Sequence, residues 1–211
     1  MSPAPWIDPA RRLMDAYDSG ELPTIVQLGH PVLRAPALPY DGELDAGGLA
    51  HLLEMMRATM HEAPGVGLAA PQLGLGVRIA VLEDPAVLAD PDVGRQRERS
   101  PLPYFAAVNP AYDAASDRRA VFFEGCLSFA GYLGVVDRPA DIQARYTTPS
   151  GESVERELRG WPARIFQHET DHLDGTVYVD RAITRSLTCT AEYADRWAAP
   201  GIEPARRGLG F

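Results

Sequence analysis

The sequence predicts one domain that combines α-helices with β-sheet, and three observations support this. Apolar residues recur at helical spacing from Leu44 to about His61. Between residues 77 and 159, several segments are rich in valine, isoleucine and aromatic residues, which is typical of strands. A second apolar helical pattern starts at Trp161 and ends at Gly175. With 211 residues, the chain is long enough to bury one substantial core.

The N-terminal part is expected to form a short helix and then an irregular segment. Asp8 and Pro9 are typical of a helix start, and Gly20 is typical of a helix end. Residues 1–23 are therefore predicted to be an N-terminal helical extension. Three prolines between Thr24 and Gly42 predict an irregular surface segment before the helix at residues 44–61.

The middle of the chain is predicted to be mostly sheet. The small residues of GVGLAAPQLGLG (65–76) predict a loop, and VRIAVLE predicts the strand that follows it. Residues 84–103 are rich in proline, aspartate and arginine and predict an exposed excursion. YFAAVNP, AVFFEG and GYLGVVDRP predict three more strands, and residues 141–160 predict a hairpin that turns at residues 149–151.

The remaining elements are the second helix and a tail. Pro162 in the first turn, and the apolar Ile165, Phe166 and Leu173, predict that the helix from Trp161 is buried. The main domain is then expected to span residues 24–183. Residues 184–211 are expected to form a C-terminal tail with one helix around AEYADRW and a loose end rich in proline and glycine.

Composition narrows the classes of function. A net charge of −9 and a pI near 5.0 disfavour sequence-independent nucleic-acid binding, because such a chain repels a phosphate backbone. Only Cys126 and Cys189 could form a disulfide, and free thiols fit a reducing compartment. The N-terminus lacks the pattern of a signal peptide, and no segment is long and apolar enough to span a membrane. We therefore expect a cytoplasmic protein with no membrane contact.

The segment HETDH, from His168 to His172, matches the metal-binding pattern HExxH. On a helix the two histidines lie one turn apart on one face, so both rings can reach one ion, with Glu169 beside it. A catalytic ion needs a third protein ligand and an open position. Cys126 in EGCLS is the best candidate, since a thiolate binds borderline divalent ions well. Cys189 lies in a polar stretch near the tail and is expected to be structural.

Three segments together resemble the signature motifs of the peptide deformylase family. They are GVGLAAPQ (65–72), EGCLS (124–128) and QHETDHLDG (167–175), in that order. The likeness spans about residues 24–179 and implies a compact α+β fold in which β-sheets pack around the buried HExxH helix. It also implies removal of the formyl group from the N-terminal formylmethionine of newly made polypeptides. The cofactor implied is one divalent ion, Fe²⁺, which Zn²⁺ or Ni²⁺ can replace.

The resemblance also assigns roles to individual residues. It implies that Cys126, His168 and His172 hold the ion and that Glu169 is the general base and acid. Gln72 and the backbone N–H of Leu127 would donate hydrogen bonds to the oxyanion. The substrate-binding residues implied are Val66, Gly67, Phe122 and Trp161.

Other positions support or depart from the family pattern. Glu124 and Arg138 match positions that can form an ion pair near the metal loop. Ala130 stands where many members have proline, and Leu133 stands where many have an arginine at the pocket rim. These two departures leave the preference for substrate side chains open.

Two other functions are compatible with parts of the sequence. A zinc peptidase that cleaves internal amides also uses HExxH, although its third ligand is usually histidine or glutamate. A formyl-peptide-binding module would keep the fold without turnover, but the presence of Glu169 argues against it. By family analogy, a transient ribosome contact is also expected.

Overall fold

The structure is a computed structural model, and it describes residues 4–86 and 91–211. Six α-helices and eight strands are described. The helices are α1 (Ile7–Asp18), α2 (Ala46–Glu62), α3 (Pro91–Gln96), α4 (Gly160–Leu173), α5 (Thr190–Glu192) and α6 (Glu203–Leu209). The strands are β1 (Gly67–Ala69), β2 (Ile79–Asp84), β3 (Leu102–Ala114), β4 (Arg119–Cys126), β5 (Phe129–Pro139), β6 (Asp141–Thr147), β7 (Ser153–Arg159) and β8 (Thr188–Cys189). Four short 3₁₀ turns and one π-helical turn connect them.

The strands form two antiparallel sheets, with α4 packed against both. The larger sheet has the order β1-β2-β3-β6-β7, and the smaller has the order β4-β5-β8. Helix α4 contacts strands of the larger sheet and β5 of the smaller one. Phe166 and Leu173 of α4 are buried against residues of the larger sheet such as Ile142. The predicted α+β fold, with sheets packed around one buried helix, is therefore confirmed.

The N-terminal helix packs into a buried cluster together with α2. It begins at Ile7, one residue before the predicted start at Asp8. Ile7 and Met14 are buried in a cluster that also contains Leu52 and Met56 of α2. Burial of such side chains contributes on the order of 1.5–3 kcal/mol each. Residues 1–3 of the predicted N-terminal extension lie outside the described residues.

Two predicted loops contain regular structure. Within the small-residue segment at 65–76, Gly67–Ala69 form β1, in which Gly67 is opposite Leu82 of β2. The prediction of a continuous loop there was wrong, because small buried residues can also form a short strand, here at the edge of the larger sheet. In the predicted excursion at residues 84–103, Pro91–Gln96 form α3, and residues 87–90 lie outside the described residues.

The C-terminal tail is packed, in contrast to the loose end that was predicted. A π-helical turn at Tyr193–Trp197 follows α5, in the region of the predicted helix. Ile202 and Ala205 are buried against Phe123 and Val135 of the smaller sheet. The prediction missed this because two apolar residues in a short segment carry no clear period. In the described residues, no helix has the length and apolar content needed to cross a lipid bilayer.

Candidate metal centre and active site

Helix α4 places His168 and His172 one turn apart, as the spacing predicted. Their ring centroids are 5.0 Å apart. His172 is fully buried, and burial is the main cause that lowers the pKa of His172 well below its usual value. A neutral imidazole is the form that binds a metal ion. The helix therefore presents two adjacent ring nitrogens to the interior of the protein.

Cys126 completes a group of three possible ligands. It is the last residue of β4, and its Sγ lies 3.2 Å from Nε2 of His172. The ligand atoms of Cys126, His168 and His172 all lie within 4.8 Å of one another. One ion at about 2.1 Å from nitrogen and 2.3 Å from sulfur can fit between atoms at such spacings. The three predicted ligands therefore come together from two distant parts of the sequence.

Glu124 links the smaller sheet to His168. Its Oε2 lies 3.0 Å from Nδ1 of His168, and its carboxylate also accepts hydrogen bonds from Arg138 at 2.6 and 3.0 Å and from Arg164. Burial raises the pKa of Glu124, but the arginines and His168 outweigh burial and hold it well below its usual value. An ionised Glu124 that accepts the Nδ1 proton leaves Nε2 of His168 free for an ion.

The general-base candidate, Glu169, is buried and has one oxygen without a partner. It is 5% exposed, and its Oε2 has no hydrogen-bond partner. Burial raises the pKa of Glu169 to about 7, against the lowering effect of His168 and Arg138. A carboxyl group with a pKa near 7 can take up and release a proton at neutral pH.

Gln72 is held in one orientation beside the ligands. Its Oε1 accepts a hydrogen bond of 2.8 Å from the N–H of Ala69. Its Nε2 therefore faces Sγ of Cys126, at 3.7 Å, and Oγ of Ser128, at 3.4 Å. Leu127 lies on the adjoining turn, where its carbonyl accepts a 3.0 Å hydrogen bond from Gln27. Both predicted oxyanion donors thus lie beside the metal-binding group.

A cavity of about 500 Å³ opens onto this group. Three of the four predicted substrate-binding residues line it, namely Val66, Gly67 and Trp161. Phe122 is not among the lining residues, and its ring packs edge-on against Trp161 at a centroid distance of 6.2 Å. The neighbouring Phe123 lines the cavity instead. Phe122 therefore supports the cavity wall from behind.

The sequence did not reveal every residue that shapes the site. Arg164 is 3% exposed and bridges Glu124 and the carbonyls of Ala120 and Val136. Its position four residues before His168, on the same helix face, was the available signal. Gln27 also holds the turn after Cys126, through Leu127 and Ala130, but nothing in its local sequence marks it.

A group of three candidate metal ligands and the buried Glu169, at the base of a cavity, are the features expected of a metal-dependent hydrolase. The family model for polypeptide deformylase matches residues 22–187, and the chain belongs to this family. Its members are metal-dependent hydrolases that remove the N-formyl group from nascent polypeptides. The predicted activity is thereby confirmed over internal peptide cleavage and over simple binding.

Named relatives and solved structures agree with this assignment. Peptide deformylase 3 of Streptomyces avermitilis is 54% identical over 91% of this chain and 85% of its own length. Peptide deformylase 1 of Streptomyces coelicolor is 51% identical over 91% of this chain and 87% of its own length. A class I type b peptide deformylase from Acinetobacter baumannii, crystallised with Met-Ala-Ser, has a TM-score of 0.68 and 34% identity. It covers 76% of this chain, and this chain covers 98% of it.

Proposed function

We propose that Cys126, His168 and His172 hold one divalent ion for the deformylation of nascent chains. The grouping of their ligand atoms within 4.8 Å, at the base of a cavity, supports this most directly. One sulfur and two imidazole nitrogens suit Fe²⁺, Zn²⁺ or Ni²⁺, and the family resemblance favours Fe²⁺. When bound, the ion would polarise the formyl carbonyl and lower the pKa of a bound water.

Glu169 is the proton carrier in this proposal. It accepts a proton from the attacking water and later delivers that proton to the departing amine of methionine. Its raised pKa suits both steps, because the group must be ionised first and protonated afterwards. The unpartnered Oε2 provides an acceptor that no other side chain occupies.

Gln72 and the N–H of Leu127 are the proposed donors to the oxyanion. Each such donor typically contributes on the order of 3 kcal/mol to the transition state. The bond from Ala69 to Oε1 supports the role of Gln72, since it points the donor Nε2 towards the ligands without reorganisation. The cavity wall of Val66 and Trp161, supported by Phe122, would receive the methionine side chain. The backbone of Gly67 would bond the substrate backbone.

Further proposals concern the setting of the reaction. We assign catalysis to residues 24–183, between the N-terminal helical extension and the tail at 184–211. We also propose a cytoplasmic enzyme that contacts the ribosome transiently, because its substrates emerge there. A net charge of −9 supports a contact made without general affinity for RNA.

The experiment that tests the metal site combines two measurements on one sample. Protein purified without oxygen is analysed for its metals and is assayed for formate released from formyl-Met-Ala-Ser. We expect about one equivalent of iron and steady formate release, with internal amides left intact. Release of formate by protein that lacks stoichiometric metal would overturn the proposed site. Metal-loaded protein that cuts only internal amides would overturn the proposed reaction.

A further inference from the structure

The cavity has a cation at the end opposite the metal-binding group. Trp161 and His168 both line the cavity and lie seven residues apart on α4, which is about 10 Å along the helix axis. The guanidinium of Arg97 also lines the cavity and lies 5.0 Å from the ring centroid of Trp161. Arg97 comes from the segment after α3, so the far end of the cavity is completed by a separate part of the chain.

Arg97 differs from the other arginine that lines the cavity. Arg164 is buried and fully engaged with Glu124 and two backbone carbonyls. Arg97 donates one hydrogen bond of 3.3 Å to the hydroxyl of Tyr193, and its inaccessible Nε has no partner. Within residues 4–86 and 91–211, no carboxylate pairs with Arg97. Its guanidinium instead lies against the rings of Trp161 and Phe122, at 5.0 and 5.8 Å from their centroids.

The residues that follow Arg97 anchor it. Arg99 donates two hydrogen bonds of 2.8 Å to the fully buried Asp84. The carbonyl of Glu98 accepts a 3.3 Å hydrogen bond from the N–H of Trp161. A Cβ at Gly160 would lie 2.4 Å from Cβ of Glu98, so only glycine permits this close approach. The position of Arg97 is thus set by the backbone and does not depend on its weak bond to Tyr193.

We propose that Arg97 is a specificity-determining residue that binds a carboxylate carried by the peptide substrate. A guanidinium with free donors is well suited to carboxylate oxygens. The wall at Trp161 would receive the methionine side chain, so the carboxylate would come from a residue that follows the methionine, the second or third along an extended peptide. It would belong to an acidic side chain of a nascent polypeptide or to the C-terminus of a short peptide. This inference rests on the proposed function.

The test compares substrates that differ only in charge. We would measure kcat/KM for formyl-Met-Glu-Ala-amide and formyl-Met-Gln-Ala-amide. A second pair of peptide amides would carry glutamate or glutamine as the third residue instead of the second. We expect the glutamate peptide of at least one pair to be favoured by about three- to fivefold, mainly through KM. The overall negative charge would produce the opposite preference, so a favoured acidic peptide requires a local cation. The other source of a carboxylate is the C-terminus of a short peptide. Comparison of formyl-Met-Gln-Ala with its C-terminal amide tests whether Arg97 binds that carboxylate.

Variants assign the preference to Arg97. Arg97→Gln should bring the ratio for the favoured pair close to one, and Arg97→Lys should restore part of it. Arg95→Gln is the matched control, because Arg95 is 74% exposed, pairs with Asp92 and makes the same change in net charge. If Arg97 had only a structural role, its substitution would lower kcat/KM for both peptides by the same factor. The ratio of kcat/KM between the glutamate and glutamine peptides would then stay unchanged.

Either of two results with the peptides and variants would overturn this inference alone. One is formate release with no charge preference in any pair, and the other is a preference that persists in Arg97→Gln. If that variant does not fold, raising NaCl from about 20 to 500 mM tests the native enzyme, where the ratio should fall towards one because salt screens exposed charges. A ratio that salt leaves unchanged would also overturn it. Absence of formate release from every peptide would instead reject the proposed function.

Discussion

The carboxylate of Glu169 lies in the space that a side chain at Gly67 would occupy. A Cβ built at Gly67 falls 2.3 Å from Oε1 of Glu169 and 2.6 Å from its Cδ. Contacts this short are not tolerated, so either the carboxylate or the strand must move. Gly67 therefore has a role in addition to the proposed contact with substrate backbone, because it leaves room for Glu169, the proposed proton carrier.

We predict that Gly67→Ala lowers kcat by about ten- to a hundredfold, since displacement of a catalytic group by about 1 Å has effects of this size. Metal content should stay at the native level, because the ligands lie outside the contact. Steady-state formate release and elemental analysis check both statements. Gly76→Ala is a suitable control, since a Cβ there has no neighbour within 4 Å. Native kcat in Gly67→Ala would show that the carboxylate is not confined by β1.

We predict that Glu169→Gln keeps its metal and loses about 10²–10⁴ of kcat, because the amide fills the same volume but cannot carry a proton. The comparison with Glu155→Gln, at an exposed position of β7, controls for the loss of one charge. If Glu169→Gln lost the ion, Glu169 would have to bind the metal, which contradicts its proposed role as a proton carrier. Retention of most activity would require another proton carrier.

We predict that Glu124→Gln weakens both metal binding and folding. Metal affinity should fall by about ten- to a hundredfold, because the amide no longer holds His168 by a charged hydrogen bond. The free energy of unfolding should fall by about 3 kcal/mol, because Arg138 and Arg164 lose a buried partner. Competition with a chelator and urea unfolding measure the two effects.

Asp171→Asn separates these two effects. Asp171 pairs with Arg138 at 2.7 Å and is 1% exposed, and its carboxylate bonds Arg138, Arg181 and Tyr112 and not His168. This variant should lose comparable stability and keep nearly native metal affinity. Equal losses of metal affinity in both variants would show that Glu124 acts only through general stability.

The sequence predicted which residues meet at the candidate site better than it predicted the cavity walls around them. HETDH has one geometry on a helix, so its two histidines and Glu169 could be placed from spacing alone. Cys126 could be added because a catalytic ion needs a third ligand. The mixed fold followed from the spacing of apolar residues, and the family and its activity followed from the resemblance of three short motifs.

The sequence could not show what closes the cavity. Tyr193 and Arg97 meet through contacts between segments about a hundred residues apart, and neither has a local pattern that indicates its position. The local sequence also did not indicate that Phe123, and not the predicted Phe122, lines the cavity. That choice depends on the twist and pairing of β4. Which face of β4 lines the cavity is set by the packing of the smaller sheet against α4 and the C-terminal segment, and the local sequence does not encode it.

The last prediction concerns acid stability away from the active site. Hydrogen bonds from Arg118 and Ser116 lower the pKa of Asp141 to about 2, so in the native state it stays ionised well below its unfolded pKa near 3.9. Its contribution to stability is therefore complete above about pH 5 and is lost as the pH falls towards 2. Because Arg118 is half exposed, solvent screening limits this contribution to about 1 kcal/mol.

Asp141→Asn should accordingly be about 1 kcal/mol less stable than the native chain at pH 7. The difference between the two should shrink steadily between pH 5 and pH 2, because the native carboxylate then becomes protonated. Urea unfolding of both proteins at matched pH measures this and cancels the effect of acid on metal binding. Asp113→Asn, at a carboxylate on β3 that is 69% exposed, should change stability by less than about 0.5 kcal/mol. A difference for Asp141→Asn that stays constant down to pH 2 would mean that packing, and not the charge of Asp141, stabilises this end of the sheet.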